Sequence, residues 1–194
     1  MSEFWLYVKL GFGHVLDWTA YDHILFLIVL TVGYTFDNWK RILILVTLFT
    51  LGHTISLFLA AYNIVSVNSR LIEFLIPLTI LATAVFNLLT SKGSSRSGRI
   101  GVLYGTTIFF GLIHGLGFSS YFNAISSNVS SKILPLIEFA LGIELAQIIV
   151  VVIVVLLSFV VQTFFRFSKR DWILVVSSIV IGMVIPMLIA NKIW

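Results

Sequence analysis

The sequence predicts an all-α, polytopic integral membrane bundle of about six transmembrane helices, with residues 1–194 forming one transmembrane domain. Three observations carry this. The chain is 59% hydrophobic and only 10% charged, against roughly 25% charged residues in a soluble domain. Its apolar residues gather into stretches close to the roughly 20 that span a bilayer as a helix. The polar connections between those stretches are short and leave no room for a separate soluble domain.

In chain order, Phe4–Leu16 reads as an interfacial helix, with Trp5, Tyr7 and Lys9 suited to the headgroup zone. Glu3 comes early and no basic stretch precedes an apolar core, so this segment does not read as a cleaved signal peptide. Six spans are expected at Asp17–Tyr34, Arg41–Tyr62, Arg70–Thr90, Gly101–Phe122, Leu134–Phe165 and Trp172–Asn191. The fifth is long enough to tilt or to project beyond the membrane. Ser91–Arg99, SKGSSRSGR, is expected as the one flexible basic loop. No internal repeat supports an inverted-repeat transporter.

Lysine and arginine set the orientation. The loops after spans one, three and five carry Lys40, Arg41, Lys92, Arg96, Arg99, Arg166, Lys169 and Arg170, and the other side carries Lys9, Arg70, Lys132 and Lys192. Eight against four places the first group in the cytoplasm and both termini outside, in a bacterial inner membrane. The net charge of +4 follows from this asymmetry and calls for no nucleic-acid partner; the expected partners are the bilayer and a metal ion, with a homo-oligomer left open.

On that topology every histidine and six of the eight acidic residues fall toward one side of the bilayer. His14, Asp17, Asp22 and His23 crowd the start of span one. His53 lies past the middle of span two, Glu73 opens span three, His114 lies in span four, and Glu138 and Glu144 lie in span five. Imidazole and carboxylate are costly in hydrocarbon unless paired or bound to a metal, so the pattern points to one polar, metal-binding cluster in the outer leaflet. The chain has no cysteine, which excludes disulfides, thiolate ligands and cysteine nucleophiles. A metal would be held by nitrogen and oxygen.

Each motif also has a plainer reading. His14 and Asp17 share a helix face, whereas Asp22 and His23 point about 100° apart, so one of the latter pair could bind an ion while the other bonds a neighbour; an interfacial polar rim is the alternative. In FTLGHTISL (Phe49–Leu57), Thr50, Thr54 and Ser56 could satisfy His53 as a core residue. In GLIHGLGFSSYF (Gly111–Phe122), Gly111 and Gly115 flank His114 in a small-xxx-small pattern that allows close helix packing. Glu73 precedes Pro77 by four residues, and Glu144 shares a face with Gln147. Either glutamate could be a ligand, a general base, or simply protonated and bonded to backbone.

Taken together, DHILF, FTLGHTISL, IEFLIP, GLIHGLGF and GIELAQ resemble the HupE/UreJ family of bacterial membrane proteins. The resemblance runs in order from His14 to Gln147. It implies a permease of about six helices for nickel, in some members cobalt, serving hydrogenase and urease. It marks His14, Asp22, His23, Glu73 and Glu144 as functional, with His53 and His114 in motifs typical of the broader family. Val15 follows His14 where hydrogenase-linked members carry proline, and Ala20 replaces a usual glycine, which fits a divergent branch.

Three functions follow as expectations. The first is a transition-metal permease for nickel, cobalt or zinc, with His14, Asp17, Asp22, His23, His53, His114, Glu73 and Glu144 as the candidate ligand set; geometry, not affinity order, would choose the ion. Its inner path is sparse: Thr83, Asn87 and Ser91 on span three, Thr106 and Thr107 on span four. The second is an intramembrane zinc-dependent hydrolase acting on a lipid or membrane-anchored substrate, with Glu144 or Glu73 as base, although no HExxH motif is present. The third is a structural or sensory metal site in an accessory subunit.

Overall fold

The computed structural model describes residues 3–91, 100–127, 129 and 131–193. The basic stretch 92–99, expected as a flexible loop, lies outside the described residues. The chain forms α1 (Glu3–Val15), α2 (Asp22–Thr31), a 3-10 turn (Phe36–Asn38), α3 (Trp39–Ala61), α4 (Ser69–Thr90), α5 (Ile100–Ile125), α6 (Ile133–Phe164) and α7 (Lys169–Ala190). No strand occurs among the described residues, so the all-α reading holds.

Helices α3 to α7 are each long and apolar enough to cross a membrane. Their ends fall within three residues of the last five expected spans. Local chemistry fixes several of these ends. Asn68 caps α4 by accepting from the Arg70 N–H at 2.9 Å, and Ser168 caps α7 by accepting from the Asp171 N–H at 3.1 Å. Helix α3 stops where Asn63 takes a left-handed φ of 57° and the Ile64 N–H turns back to the Leu59 carbonyl at 2.8 Å.

The first expected span differs. In place of a continuous Asp17–Tyr34 helix there is a break at residues 16–21 followed by the ten-residue α2, about 15 Å long and half of the roughly 30 Å hydrocarbon thickness. The break has a local cause. Asp17 Oδ1 accepts from both the Thr19 N–H (2.8 Å) and the Thr19 hydroxyl (2.7 Å), an Asx turn that offers the backbone an alternative to helix. Hydropathy does not register this competition, because an average over the stretch is dominated by the apolar run that begins at Ile24.

Nor does α1 lie apart as an interfacial helix; it packs along α6. The Tyr7 hydroxyl reaches the Ile125 carbonyl at the last turn of α5 (3.5 Å), and two turns on, the His14 ring lies 3.9 Å from that of Phe118. The chain then continues in the same direction. Phe26 of α2 stacks on Phe49 at 4.9 Å and meets Phe110 at 5.7 Å, and the Asn87 amide, near the end of α4, donates to the Val29 carbonyl at 2.6 Å. Thus α1 and α2 are two partial helices in series, about 20 and 15 Å long, joined by a turn whose residues 17–20 are exposed.

Seven of the ten α2 residues are buried. The helix packs on α4, α6 and α7 and meets α3 and α5 through aromatic rings, so it is the element the five long helices surround. One end of the bundle carries both termini and the α3–α4 and α5–α6 connections, and we call it the terminal end. The other carries Lys40, Arg41, Arg166, Lys169 and Arg170 and is called the basic end.

Two glycine interlocks set the positions of the helices. At the α3–α5 crossing, a Cβ on Gly52 would overlap the Ile108 carbonyl, one on Gly111 the Phe49 carbonyl, and one on Gly115 the His53 carbonyl and Ser56 Oγ. At the α1–α6 crossing, a Cβ on Gly11 would overlap the Phe139 carbonyl and one on Gly142 the Val8 carbonyl. These are backbone-on-backbone contacts of the small-residue kind. Gly142→Ala is expected to separate α1 from α6 and to cost about 1–3 kcal/mol by overpacking, read as lower thermal stability in detergent.

Candidate metal centre

The two glycine crossings and the helix break converge on one place. Gly111 and Gly115 draw α5 against α3 so that His114 and His53 face the same interior, and Gly11 and Gly142 hold α1 so that its last turn delivers His14 there. The break lets α2 begin at the same level, with His23 in its first turn. One ligand nitrogen from each of His14, His23 and His53 lies within 4.8 Å of the others. Ring centroids are 4.5 Å apart for His14 and His23, 5.7 Å for His14 and His53, and 5.8 Å for His23 and His53. His114 stands beside them, 5.1 Å from His23.

Second bonds orient two of the rings. His114 Nδ1–H donates to the Phe110 carbonyl, one turn back, at 2.8 Å, and His23 Nδ1–H donates to Asp22 Oδ1 at 3.0 Å. In both cases Nε2 is left as the open lone pair, which is how a carbonyl or carboxylate prepares a metal-ligating imidazole. Asp22 also accepts the His23 N–H at 2.8 Å and sets a negative charge at the N-terminus of α2, offsetting a helix dipole that would otherwise oppose a cation there.

The decisive feature is what remains unbonded. Eight buried side-chain nitrogen or oxygen atoms among the described residues lack a hydrogen-bond partner, and five of them are imidazole nitrogens: His14 Nε2, His23 Nε2, both of His53 and His114 Nε2. Buried polar groups are nearly always bonded, and each orphan costs about 1–3 kcal/mol. His53 is fully buried with neither nitrogen satisfied. Around them the rings of Phe26, Phe49, Phe118 and Phe139 form an apolar wall that keeps out competing water. With M–N bonds of about 2.0–2.1 Å, small side-chain rotations let these nitrogens share one ion, so the donor set fits a transition metal.

The remaining candidates from the sequence, Asp17, Glu73 and Glu144, lie outside the group of three ligand nitrogens. Asp17 is exposed in the α1–α2 turn, bonded to Thr19. Glu73 is exposed near the start of α4. Glu144 is held between α6 and α3, where the Thr47 hydroxyl donates to Oε1 at 2.6 Å and the Thr50 hydroxyl donates to Oε2. Sequence reasoning overlooked Thr47 and the ring wall. The threonines at positions 47, 50 and 54 recur at helical spacing on α3, which was a legible signal.

A family model described as HupE / UreJ protein matches residues 1–192. The chain belongs to the HupE/UreJ family. This is a membrane family of nickel/cobalt transporter type, and the membrane-length helices of this HupE/UreJ chain accord with it. No curated protein and no solved structure matches the chain.

In this HupE/UreJ protein the Asp22–His23 pair is the clearest point at which to separate a ligand from its support. Asp22→Asn is expected to weaken metal binding by about 10–100-fold without displacing His23, because the amide oxygen still accepts from Nδ1 but carries no charge. Titration of purified protein with cobalt, followed by its visible absorption, checks this.

Proposed function

We propose that this protein is a divalent transition-metal permease, for nickel or cobalt first and zinc as the further candidate. Its ion is taken up by His14, His23, His53 and His114, with Asp22 orienting His23. The observation that supports this reading is the convergence of four imidazoles with open Nε2 atoms inside an apolar bundle. All-nitrogen donors suit borderline divalent ions better than magnesium or calcium. The break between α1 and α2 adds support, since interrupted membrane helices place backbone ends and polar groups at transport sites.

The positive-inside rule places the basic end in the cytoplasm of a bacterium and both termini outside. The ion would then enter from the terminal end, where exposed Asp17 and Glu73 would raise the local cation concentration. A hydrolase would need a carboxylate base free beside the ion. Glu144 is engaged by threonines, Glu73 is exposed on α4, and Asp22 is bonded to His23, so the permease reading is preferred.

The test is nickel and cobalt accumulation at trace external concentrations in cells with and without the protein. Accumulation that depends on the protein and falls to background in His53→Ala is the expected result. Equal accumulation with and without the protein, for nickel, cobalt and zinc alike, would overturn it.

A further inference from the structure

We propose that Glu144, Thr47, Thr50 and Gln147 form a second cation-binding station, built of oxygen donors, that receives the ion from the histidines on its way to the basic end. This rests on the permease reading above. Thr50 lies three residues before His53 on α3, on the side of the basic end, so the two stations are neighbours along one helix.

The geometry shows a compact set of oxygens. Thr47 Oγ1 is 2.6 Å from Glu144 Oε1, Thr50 Oγ1 bonds Glu144 Oε2, and Thr50 Oγ1 is 3.1 Å from Gln147 Oε1. Thr50 Oγ1 also lies 3.2 Å from the Val46 carbonyl, and one hydroxyl proton cannot serve three acceptors. Turning the Gln147 amide over lets its N–H donate to Thr50 Oγ1, a change of assignment and not of shape. Its carbonyl oxygen then becomes a free acceptor. In the orientation recorded, Gln147 is fully buried and its Nε2 has no partner. Only the turned-over amide presents an oxygen at that unpartnered position, and an oxygen there can accept a cation.

Charge points to what that ligand is. Glu144 is half-buried about a third of the way along the membrane-crossing α6, where an ionised carboxylate needs a counter-charge. The basic residues of α3 are Lys40 and Arg41 at its start, about two turns from Thr47, together with His53; α6 itself carries none, its other charged residue being Glu138. A passing divalent cation supplies the missing charge. The change of donor also has a purpose in transport. Nickel, cobalt and zinc prefer imidazole, while carboxylate, hydroxyl and amide oxygens hold them less tightly and suit hard ions such as manganese. A weaker station after a tighter one lets the ion leave.

The experiment uses purified full-length protein with manganese as the hard probe, read by the loss of the free-ion electron paramagnetic resonance signal, and cobalt as the nitrogen-seeking probe, read by visible absorption. Glu144→Gln is expected to weaken manganese binding by about tenfold or more while leaving the cobalt spectrum unchanged, which also shows that the fold is retained. Thr50→Val should act in the same direction, and His53→Ala should do the reverse, losing the cobalt spectrum and keeping manganese. Manganese affinity unchanged in Glu144→Gln would overturn the proposal. A cobalt spectrum lost in Glu144→Gln would overturn it too, by making Glu144 part of the histidine centre. If wild-type protein accumulates no metal in cells yet binds manganese through Glu144, the permease reading falls and the oxygen site stands.

Discussion

His53→Leu is expected to abolish metal binding while leaving the metal-free protein as stable as the wild type, or more stable. His53 is fully buried, lies 5.7 and 5.8 Å from the rings of His14 and His23, and has no bond to either nitrogen. Leucine fills a similar volume and removes two buried orphan atoms, each worth about 1–3 kcal/mol in favour of the fold. The same change deletes one of three nitrogens within 4.8 Å of one another, and binding should fall by more than the about 10–100-fold seen for losing a supporting residue. Thermal unfolding in detergent and cobalt titration of the same sample check both halves. An ordinary core histidine would give the opposite pattern: loss of stability on substitution and no change in metal affinity.

Gly115→Ala should damage fold and site together. Its Cβ would meet the His53 carbonyl and Ser56 Oγ, and the backbone half of that contact cannot turn aside. Overpacking of this kind costs about 1–3 kcal/mol, and relief comes only if α5 moves away from α3. His114 precedes Gly115 directly, so the same movement carries its ring away from His23 and His53. Lower thermal stability with weaker cobalt binding is expected, and Gly111→Ala, against the Phe49 carbonyl, should act alike. Gly105→Ala is the control: nothing lies within 4 Å of a Cβ there, and both quantities should be unchanged.

Depth was legible in the sequence and azimuth was not. Counting along each apolar stretch located α3 to α7 closely, since hydrophobic length sets roughly where a membrane helix starts and stops and caps such as Asn68 and Ser168 fix the exact ends. The same count put four histidines at similar depth, and their rings lie beside one another in the structure. It also put Glu73 and Glu144 on that side of the bilayer, but depth does not say which way a side chain faces. Glu73 points away from the interior and Glu144 meets α3 threonines. Hydropathy hides the α1–α2 break because an Asx turn over residues 17–19 outweighs a hydropathy average locally. Gly11 and Gly142, far apart in sequence, show their interlock only once α1 lies on α6.

The central claim is that the four-histidine group binds a transition-metal ion through its open nitrogens. X-ray absorption on detergent-purified protein loaded with cobalt or nickel tests it most directly. The account predicts at least three imidazole nitrogens around the ion, with the multiple-scattering signature of the rings, and loss of that signature in His53→Leu. A shell of oxygen alone, or an imidazole shell that His53→Leu leaves intact, would contradict it.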